Sequence, residues 1–593
     1  MGEPSASAKR AAVAATVTTS PQIASERQVQ VVVHDDSAAL DEPEDDESCG
    51  SGNGGGEVHG EGSQLLRWNP EDTTFWHVYG RSIARTNLWV SIPNLLLMFA
   101  TWLMWSMIIV QIQDAHTEDK NAFAFTEWLG ENAEDDEQAG RKYKATLLLL
   151  PAVAGLSGAT LRIPNSFMTS ITGGRMHNAA NSGFPVITFL LLGILAKGNC
   201  TFLTLLVLCS FSGFGGGAFA SSMNNISCFF PKAEQGVALG LNAGLGNCGV
   251  SVAQLLVPAV SSIALFGGEA YGGKWTSNCG YTFAILLAVA SIAAWFYMNS
   301  MPDHGAKSTR NNFMAYIRLE GIGFLGVFVA VAMFVGSNEL VKASPALQIV
   351  RIFIVSIAAC LVTLAGMRFL VPEDLKNMLL EQASIFKNKH TWYMTYLYVM
   401  TFGSFIGYSA AFPKLIKDYF GYLPNGDPNP NAISAAAYAW LGPFLGSISR
   451  PVGGWLADKY GGAAVTHWGT VIEVLSTVFA GIAIAKIQVS DTPEIYFPAF
   501  FLCFMLLFLS TGISNGSTFR QISVIFNKEQ TGSVLGWTSA VAAYGAALFP
   551  ALFSAGYAGK FVPEMMYFLA AYYASCLLLN YWMYYRSNAE IHC

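Results

Sequence analysis

Two arginines, Arg162 and Arg450, stand inside long apolar stretches of this 593-residue chain. A guanidinium at membrane depth costs at least about 2.5 kcal/mol on insertion scales, so it needs a compensating charge. The apolar stretches that we expect to line a shared cavity contain no interior Asp or Glu. A bound anion is therefore expected to supply the charge. The alternative is that backbone carbonyls or Asp458 hold the arginines.

The guanidinium group also indicates the shape of the anion. Its planar fork donates two parallel hydrogen bonds to two oxygens of one plane. Nitrate, nitrite, bicarbonate and carboxylates fit this geometry. Tetrahedral phosphate can be bound in the same way, so the fork alone does not choose among them.

Composition places these arginines in a membrane protein. Hydrophobic residues make up 52% of the chain and charged residues 12%, about half of the charged share of an ordinary soluble domain. The ten cysteines stand singly, and no His, Cys or carboxylate cluster has ligand spacing. We therefore expect no enzyme, no metal site and no cofactor.

The first 64 residues form a separate region. They hold twelve acidic and three basic residues and a glycine-rich run from Gly50 to Gly56. Such a segment buries too little apolar area to offset its ordering entropy. We expect residues 1–64 to be a disordered acidic tail in the cytosol. The remaining chain has nearly balanced charge and no basic patch, which argues against a nucleic-acid partner.

Fourteen apolar runs of spanning length, roughly 20 residues each, lie between Leu88 and Tyr585. In lipid they must be helices, because an open strand would leave backbone groups unpaired. Lysines and arginines concentrate in the linkers on the side of the tail, including Arg175, Lys459 and Arg586. The positive-inside rule then places both termini in the cytosol. The sequence predicts an all-α polytopic protein, multi-pass and monomeric, in the lipid bilayer of the plasma membrane.

Two stretches of sequence repeat within the chain. Arg162 precedes the glycine pair at Gly173 by eleven positions, and Arg450 precedes the pair at Gly461 by the same spacing. A second, ungapped match with a constant offset pairs residues 226–249 with residues 522–545. Matches in the same order predict two parallel halves related by an axis along the membrane normal. We assign residues 65–300 and 391–593 to six-helix halves. Residues 301–390 are a linker with two inserted helices.

The segment Gly454-x-x-x-Asp458-Lys-x-Gly461 lies at the end of the tenth apolar run. It resembles the cytosolic gate motif of the major facilitator superfamily, in which glycines allow a tight turn. Asp458 is suited to capping or pairing with a neighbouring helix end. The motif favours the major facilitator fold and carries no information on the substrate.

Longer motifs resemble one branch of that superfamily, the nitrate/nitrite porter family. They are the glycine-rich segments 213–232, 240–251 and 512–526, with 401–412 and 67–72 in support. The resemblance implies that two arginines bind the anion, two rings sandwich it and two polar groups contact it. The matching positions are Arg162, Arg450, Phe219, Phe402, Tyr398 and Asn247.

The motif glycines are expected to serve helix packing and gating rather than ligand binding, because small residues let membrane helices approach closely. They are Gly240, Gly244, Gly246, Gly249, Gly454 and Gly461. Asp458 is expected to act in gating together with them.

Two charged residues depart from the expected pattern. Arg520 lies in the second signature, where it either snorkels to the cytosol or adds a charge to the exit path. Glu473 is a lone acid on a peripheral helix, where it either pairs with a nearby base or titrates.

The resemblance implies a transporter that moves nitrate and nitrite by alternating access, in the direction of nitrate uptake. Two arginines without a fixed counter-ion favour exchange of nitrate against nitrite, because an unloaded positive cavity reorients poorly. Proton-coupled nitrate symport is the alternative, and another small planar anion is a second. A channel is disfavoured by the two-half repeat, and a receptor that binds nitrate without moving it shares the same sequence features.

Overall fold

The computed structural model describes residues 68–129, 136–301, 308–337 and 345–593, so the predicted acidic tail lies outside the described residues. Within these ranges the chain is built from helices. The helices of spanning length are α1 (Arg81–Leu103 and Trp105–Glu118), α2 (Leu149–Thr172), α3 (Gly174–Leu195), α4 (Phe202–Phe211 and Phe214–Phe229), α5 (Lys232–Asn247 and Gly249–Ser261), α6 (Ser277–Tyr297), α7 (Thr309–Gly336), α8 (Pro345–Phe369), α9 (Lys389–Tyr398, the π-helical turn Val399–Gly403, and Ser404–Phe420), α10 (Leu441–Tyr460), α11 (Gly462–Ile487), α12 (Phe497–Ile525), α13 (Lys528–Ala543 and Gly545–Gly559) and α14 (Val562–Asn580).

Twelve helices in the described part of the chain are long and apolar enough to cross a membrane. The two spanning-length segments that fall outside this set are α9 and α10. These two carry Tyr398, Phe402 and Arg450. Polar residues inside the bundle lower the hydropathy of α9 and α10. The all-α polytopic fold class predicted from the sequence is confirmed, and α9 and α10 bring the segments of spanning length to fourteen.

The two halves, α1–α6 and α9–α14, repeat the same local geometry. The turn between α2 and α3 is made by Gly173, with φ 79° and ψ 139°. The turn between α10 and α11 is made by Gly461, with φ 89° and ψ 140°. A positive φ of this size is strained for any residue with a Cβ, so glycine is required at both turns. The sequence repeat therefore reflects a structural repeat.

Helix breaks also recur between the halves. The helix α5 is interrupted at Cys248 and α13 at Tyr544, which are equivalent positions in the repeat. α9 is interrupted near its middle by the π-helical turn Val399–Gly403. Turns of this type often occur at functional sites, because they free backbone groups from the regular hydrogen-bond pattern. In α9 the turn includes Phe402.

The inserted helices α7 and α8 pack along one side of the bundle. Gly323 of α7 lies against Leu161 and Pro164 of α2. On the neighbouring helix α8, Gln348 accepts a hydrogen bond from Ser554 of α13 at 3.4 Å. The insertion thus contacts α2 from the N-terminal half and α13 from the C-terminal half.

Candidate functional site

Arg162 is fully buried on α2 and is fixed by two backbone carbonyls. Its Nε donates to the Gly216 carbonyl at 2.8 Å, and its Nη1 donates to the Ser539 carbonyl at 3.3 Å. The second bond crosses from the N-terminal half to α13. Its Nη2 has no hydrogen-bond partner among the described residues. Backbone carbonyls therefore hold part of this guanidinium, and one of its nitrogens remains able to donate.

Arg450 is buried on α10, with 4% of its surface exposed. None of its three guanidinium nitrogens has a hydrogen-bond partner in the described part of the chain. Its guanidinium carbon lies 4.3 Å from the centre of the Phe405 ring and 5.3 Å from that of Phe402. Stacking on rings offsets only part of the cost of burying a charge. Arg450 is the strongest sign of an anion site in the structure.

The two arginines approach the same aromatic ring. The guanidinium carbon of Arg162 lies 5.2 Å from the centre of the Phe402 ring and 5.1 Å from that of Phe219. The guanidinium carbon of Arg450 lies 5.3 Å from the same Phe402 centre. The two guanidinium carbons can therefore be no farther apart than their two distances to that centre, 5.2 and 5.3 Å, added together. Within the described ranges, neither arginine forms an ion pair with a carboxylate. The expected meeting of both arginines at one central point is present.

Phe219 and Phe402 lie face to face, with ring centroids 6.0 Å apart and planes inclined by 21°. This is ordinary stacking contact between two rings. An ion between the planes would need them roughly 7 Å apart, twice a close carbon contact of about 3.5 Å. In this conformation the rings pack on each other.

Tyr398 and Asn247 are both fully buried. The Tyr398 hydroxyl has no hydrogen-bond partner among the described residues, although the Asn515 side chain lies beside it. Asn247 donates its Nδ2 to the Ala243 carbonyl of its own helix at 2.6 Å, while its Oδ1 is without a partner among the described residues. The Phe402 ring lies 5.8 Å from the Tyr398 ring. Tyr398 thus belongs to the cluster around the arginines.

The motif glycines behave differently from one another. A side chain at Gly249 would collide with the Leu96 carbonyl of α1, and one at Gly246 would press on Leu95. At Gly244 an added Cβ would make ordinary van der Waals contact, 3.5 Å from Pro451. At Gly240 and Gly454 no atom lies within 4 Å of an added Cβ. Gly240 and Gly454 therefore face open space in this conformation.

Asp458 of the gate motif pairs with Arg520 of α12, with 3.1 Å between Asp458 Oδ1 and Arg520 Nε. Both side chains are at least half exposed. For Arg520 the sequence predicted either a cytosolic position or an extra charge in the exit path, and gave no sign of this ion pair. The pair links α10 and α12 within the C-terminal half. We call this end of the bundle the Asp458 end.

The opposite end, here called the Tyr422 end, is closed by contacts between the halves. Thr117 of α1 hydrogen-bonds the Tyr422 hydroxyl at 2.8 Å. Lys417 of α9 pairs with Asp114 of α1 at 2.5 Å, and Gln113 donates to Asp418 at 3.1 Å. The site is therefore sealed from the Tyr422 end by polar bonds between the ends of α1 and α9.

Glu320 is a buried acid of the inserted helix α7 that sequence analysis did not single out. Its Oε1 accepts a hydrogen bond of 2.7 Å from Asn165, three residues after Arg162 on α2. Its Oε2 has no partner among the described residues. The sequence signal for Glu320 is an acidic residue inside the apolar run Ile317–Val335. Its position against α2 could not be predicted, because the inserted helices have no counterpart in the sequence repeat.

Comparison with known proteins identifies the family. The family model of the Major Facilitator Superfamily matches residues 95–550. A protein named as a probable nitrate/nitrite antiporter, NarK2 of Thermus thermophilus, is 31% identical over 90% of this chain and 99% of its own length. The nitrate/nitrite transporter NarU of Escherichia coli is 33% identical over 88% of this chain and 96% of its own. The chain belongs to the nitrate/nitrite porter family of the major facilitator superfamily.

Solved structures agree on the fold of this porter. A crystal structure of the peptide transporter POT with alafosfalin covers 85% of this chain and 96% of its own, at 12% identity and a TM-score of 0.51. A POT family transporter in complex with 5-aminolevulinic acid covers 83% and 94%, at 13% identity and a TM-score of 0.52. At this identity the likeness concerns the fold alone. The predicted family is confirmed, and the porter belongs to a family of transporters rather than of enzymes.

Proposed function

We propose that this protein carries nitrate and nitrite across a membrane by alternating access, in the direction of nitrate uptake. The observation that carries the proposal is Arg450, a buried guanidinium whose three nitrogens lack a partner among the described residues. Arg162 reaches the same aromatic cluster with one free nitrogen. Two such groups leave a site that is completed by one small anion with oxygens on its edge.

The relatives narrow the anion from a chemical class to a pair of substrates. NarK2 and NarU are named for nitrate and nitrite, and both anions are planar. We assign anion binding to Arg162 and Arg450. Phe219 and Phe402 cover the faces of the anion, while Tyr398 and Asn247 offer polar contacts. Because the two rings stack on each other, with centroids 6.0 Å apart, the loaded state requires them to separate until their planes lie roughly 7 Å apart.

Access in this proposal alternates between the two ends of the bundle. The Tyr422 end is sealed by the bonds of Lys417 and Tyr422 to α1. With both termini in the cytosol, this is the outer end, and the present conformation prevents entry from outside. Opening requires those polar bonds to break while the halves rotate about the arginines.

Exchange of nitrate against nitrite is the favoured mode. Without an anion, two buried guanidinium groups of like charge lack compensation, so the unloaded carrier reorients slowly. A bound nitrate or nitrite neutralises part of that charge in either direction of travel. The proposal of an exchange mechanism therefore depends on the uncompensated positive charge of Arg450 and Arg162.

Proton-coupled symport is the second candidate, and Glu320 favours it. Carboxylates buried at membrane depth commonly mark proton pathways. Glu320 contacts α2 through Asn165, close to Arg162 in sequence. Glu473 of α11 is a second buried acid, and neither of its oxygens has a partner among the described residues. Another small planar anion as substrate is the remaining alternative.

Reconstituted vesicles separate these possibilities. Uptake of labelled nitrate is measured into proteoliposomes that contain nitrite, and into matched vesicles with an acid-outside gradient and no internal anion. Exchange predicts uptake in the first set alone. Uptake driven by the pH gradient, and lost in a Glu320→Gln variant that still exchanges, would establish symport. No uptake under either condition would refute transport altogether.

A further inference from the structure

A cavity of about 240 Å³ lies between the insertion and the two halves, and none of the residues assigned to the anion site lines it. Its walls come from α2, α8, α13 and the short helix Glu373–Gln382 with the turn that follows it. One wall residue, Ile163, follows Arg162 directly in sequence. Another, Ala540, follows Ser539, whose carbonyl binds Arg162. Whatever fills this cavity touches both halves and the insertion together.

The lining combines an apolar body with a cationic edge. Most of the walls are aliphatic or aromatic, including Phe167, Leu364 and Met367. Arg368 at the end of α8 and Lys376 of the short helix add two positive charges. Lys376 also pairs with Glu373 at 3.2 Å, but that pair is partly exposed and therefore weak. An occupant that fits must carry an apolar chain and a negative group.

Trp537 supplies an independent sign of a polar ligand group. Its ring lines the cavity, and its Nε1 is buried without a hydrogen-bond partner among the described residues. Buried indole N–H groups usually find an acceptor. Phosphate and ester oxygens of a lipid are acceptors of the required kind.

We propose that this cavity binds an anionic phospholipid. One acyl chain enters between α2, α8 and α13, and the phosphate lies against Arg368 and Lys376 with Trp537 donating to a lipid oxygen. Basic pockets between spanning helices on the cytoplasmic side bind anionic headgroups in this way. The cavity is small for a whole lipid, so the second chain remains in the bilayer. The lipid bridges α2 and α13 and stabilises the conformation closed at the Tyr422 end.

The test uses the full-length protein in nanodiscs of phosphatidylcholine with or without phosphatidylglycerol. Retained lipid is counted by native mass spectrometry, and the melting temperature is recorded in parallel. We expect wild-type protein to retain phosphatidylglycerol preferentially and to melt at a higher temperature with it. The double variant Arg368→Gln/Lys376→Gln is expected to lose about thirty-fold in this preference.

Matched variants separate a built site from general surface attraction. Arg175→Gln/Arg586→Gln removes two positive charges elsewhere and is expected to retain the preference. Ala540→Phe fills the cavity and is expected to lower retention of both lipids. Trp537→Phe keeps the ring, removes the donor and is expected to weaken retention. An unchanged preference in the Arg368/Lys376 variant, an equal loss in the control, or displacement by inorganic phosphate would overturn the proposal.

Discussion

Replacing Arg450 with lysine keeps the positive charge and removes the guanidinium fork. Arg450 donates no hydrogen bond to the described part of the protein, so the substitution breaks no bond that holds the fold. The same is not true of Arg162, which is bonded to the carbonyls of Gly216 and Ser539. Arg450→Lys therefore isolates anion recognition from folding.

The expected loss follows from one hydrogen bond. A hydrogen bond to a charged group contributes about 1.5–3 kcal/mol, and the ammonium keeps one of the two donated by the fork. The contact of the guanidinium with the Phe405 ring, at 4.3 Å, is made without the anion and is also open to a lysine ammonium, so it does not enter the difference in affinity. The lower bound of about 1.5 kcal/mol corresponds to a roughly ten-fold weaker affinity.

Nitrate binding to purified protein is measured by calorimetry, together with the melting temperature. We expect a Kd higher by roughly ten-fold or more for Arg450→Lys, with an unchanged melting temperature in the absence of anion. Arg175→Lys, the same chemical change on an arginine outside the cluster, is the control and is expected to bind normally. Near-normal affinity of Arg450→Lys would refute recognition by the planar fork.

Three further predictions test other parts of the structure. Phe402→Ala is expected to weaken nitrate affinity by about ten-fold, because the ring contacts both arginines and its removal admits water. Phe402→Leu keeps an apolar cover and is expected to recover part of the affinity. Equal affinity in wild type and Phe402→Ala would contradict this role. Gly249→Ala is expected to lower the melting temperature by several degrees, since the methyl group would collide with a backbone carbonyl of α1. Gly240→Ala meets no neighbouring atom and is expected to leave the melting temperature unchanged or to raise it. A lower melting temperature for Gly240→Ala than for Gly249→Ala would contradict the helix packing described here. Asp114→Asn is expected to weaken closure of the Tyr422 end by about 1 kcal/mol, since its pair with Lys417 is partly exposed. Distances between spin labels across that end would report the opening. A charge swap of Asp114 and Lys417 that fails to restore closure would argue against the ion pair.

Much of the architecture could be predicted because repetition of sequence implies repetition of structure. The glycine pairs after Arg162 and Arg450 predicted equivalent turns, and Gly173 and Gly461 have nearly the same backbone angles. The same repeat placed the two arginines opposite each other, where both reach Phe402. Helical periodicity and parallel repetition are properties of the sequence alone.

Side-chain partners across helices could not be predicted in the same way. The pairing of Asp458 with Arg520 depends on how α10 and α12 are rotated about their axes. Glu320 reaches Asn165 because the insertion docks on α2, and the insertion has no repeat partner to indicate its position. The two carbonyls that hold Arg162 come from α4 and α13. Every residue has a backbone carbonyl, so the residue types do not show which carbonyls accept hydrogen bonds from Arg162.

The motif glycines differ in how closely another helix approaches them in this conformation. Gly246 and Gly249 lie against α1, so a small residue is required there. Gly240 and Gly454 face open space in the present conformation. A motif glycine is retained when any state of the transport cycle requires a small residue at that position. A single conformation shows the helix contacts of one state.

The central claim is that one planar anion completes the two buried guanidinium groups. A crystal structure of the protein in nitrate tests it most directly. We expect a planar density within about 2.7–2.9 Å of nitrogen atoms of both Arg162 and Arg450, with the rings of Phe219 and Phe402 separated to roughly 7 Å. Nitrate bound elsewhere while both guanidinium groups keep their present surroundings would contradict the account.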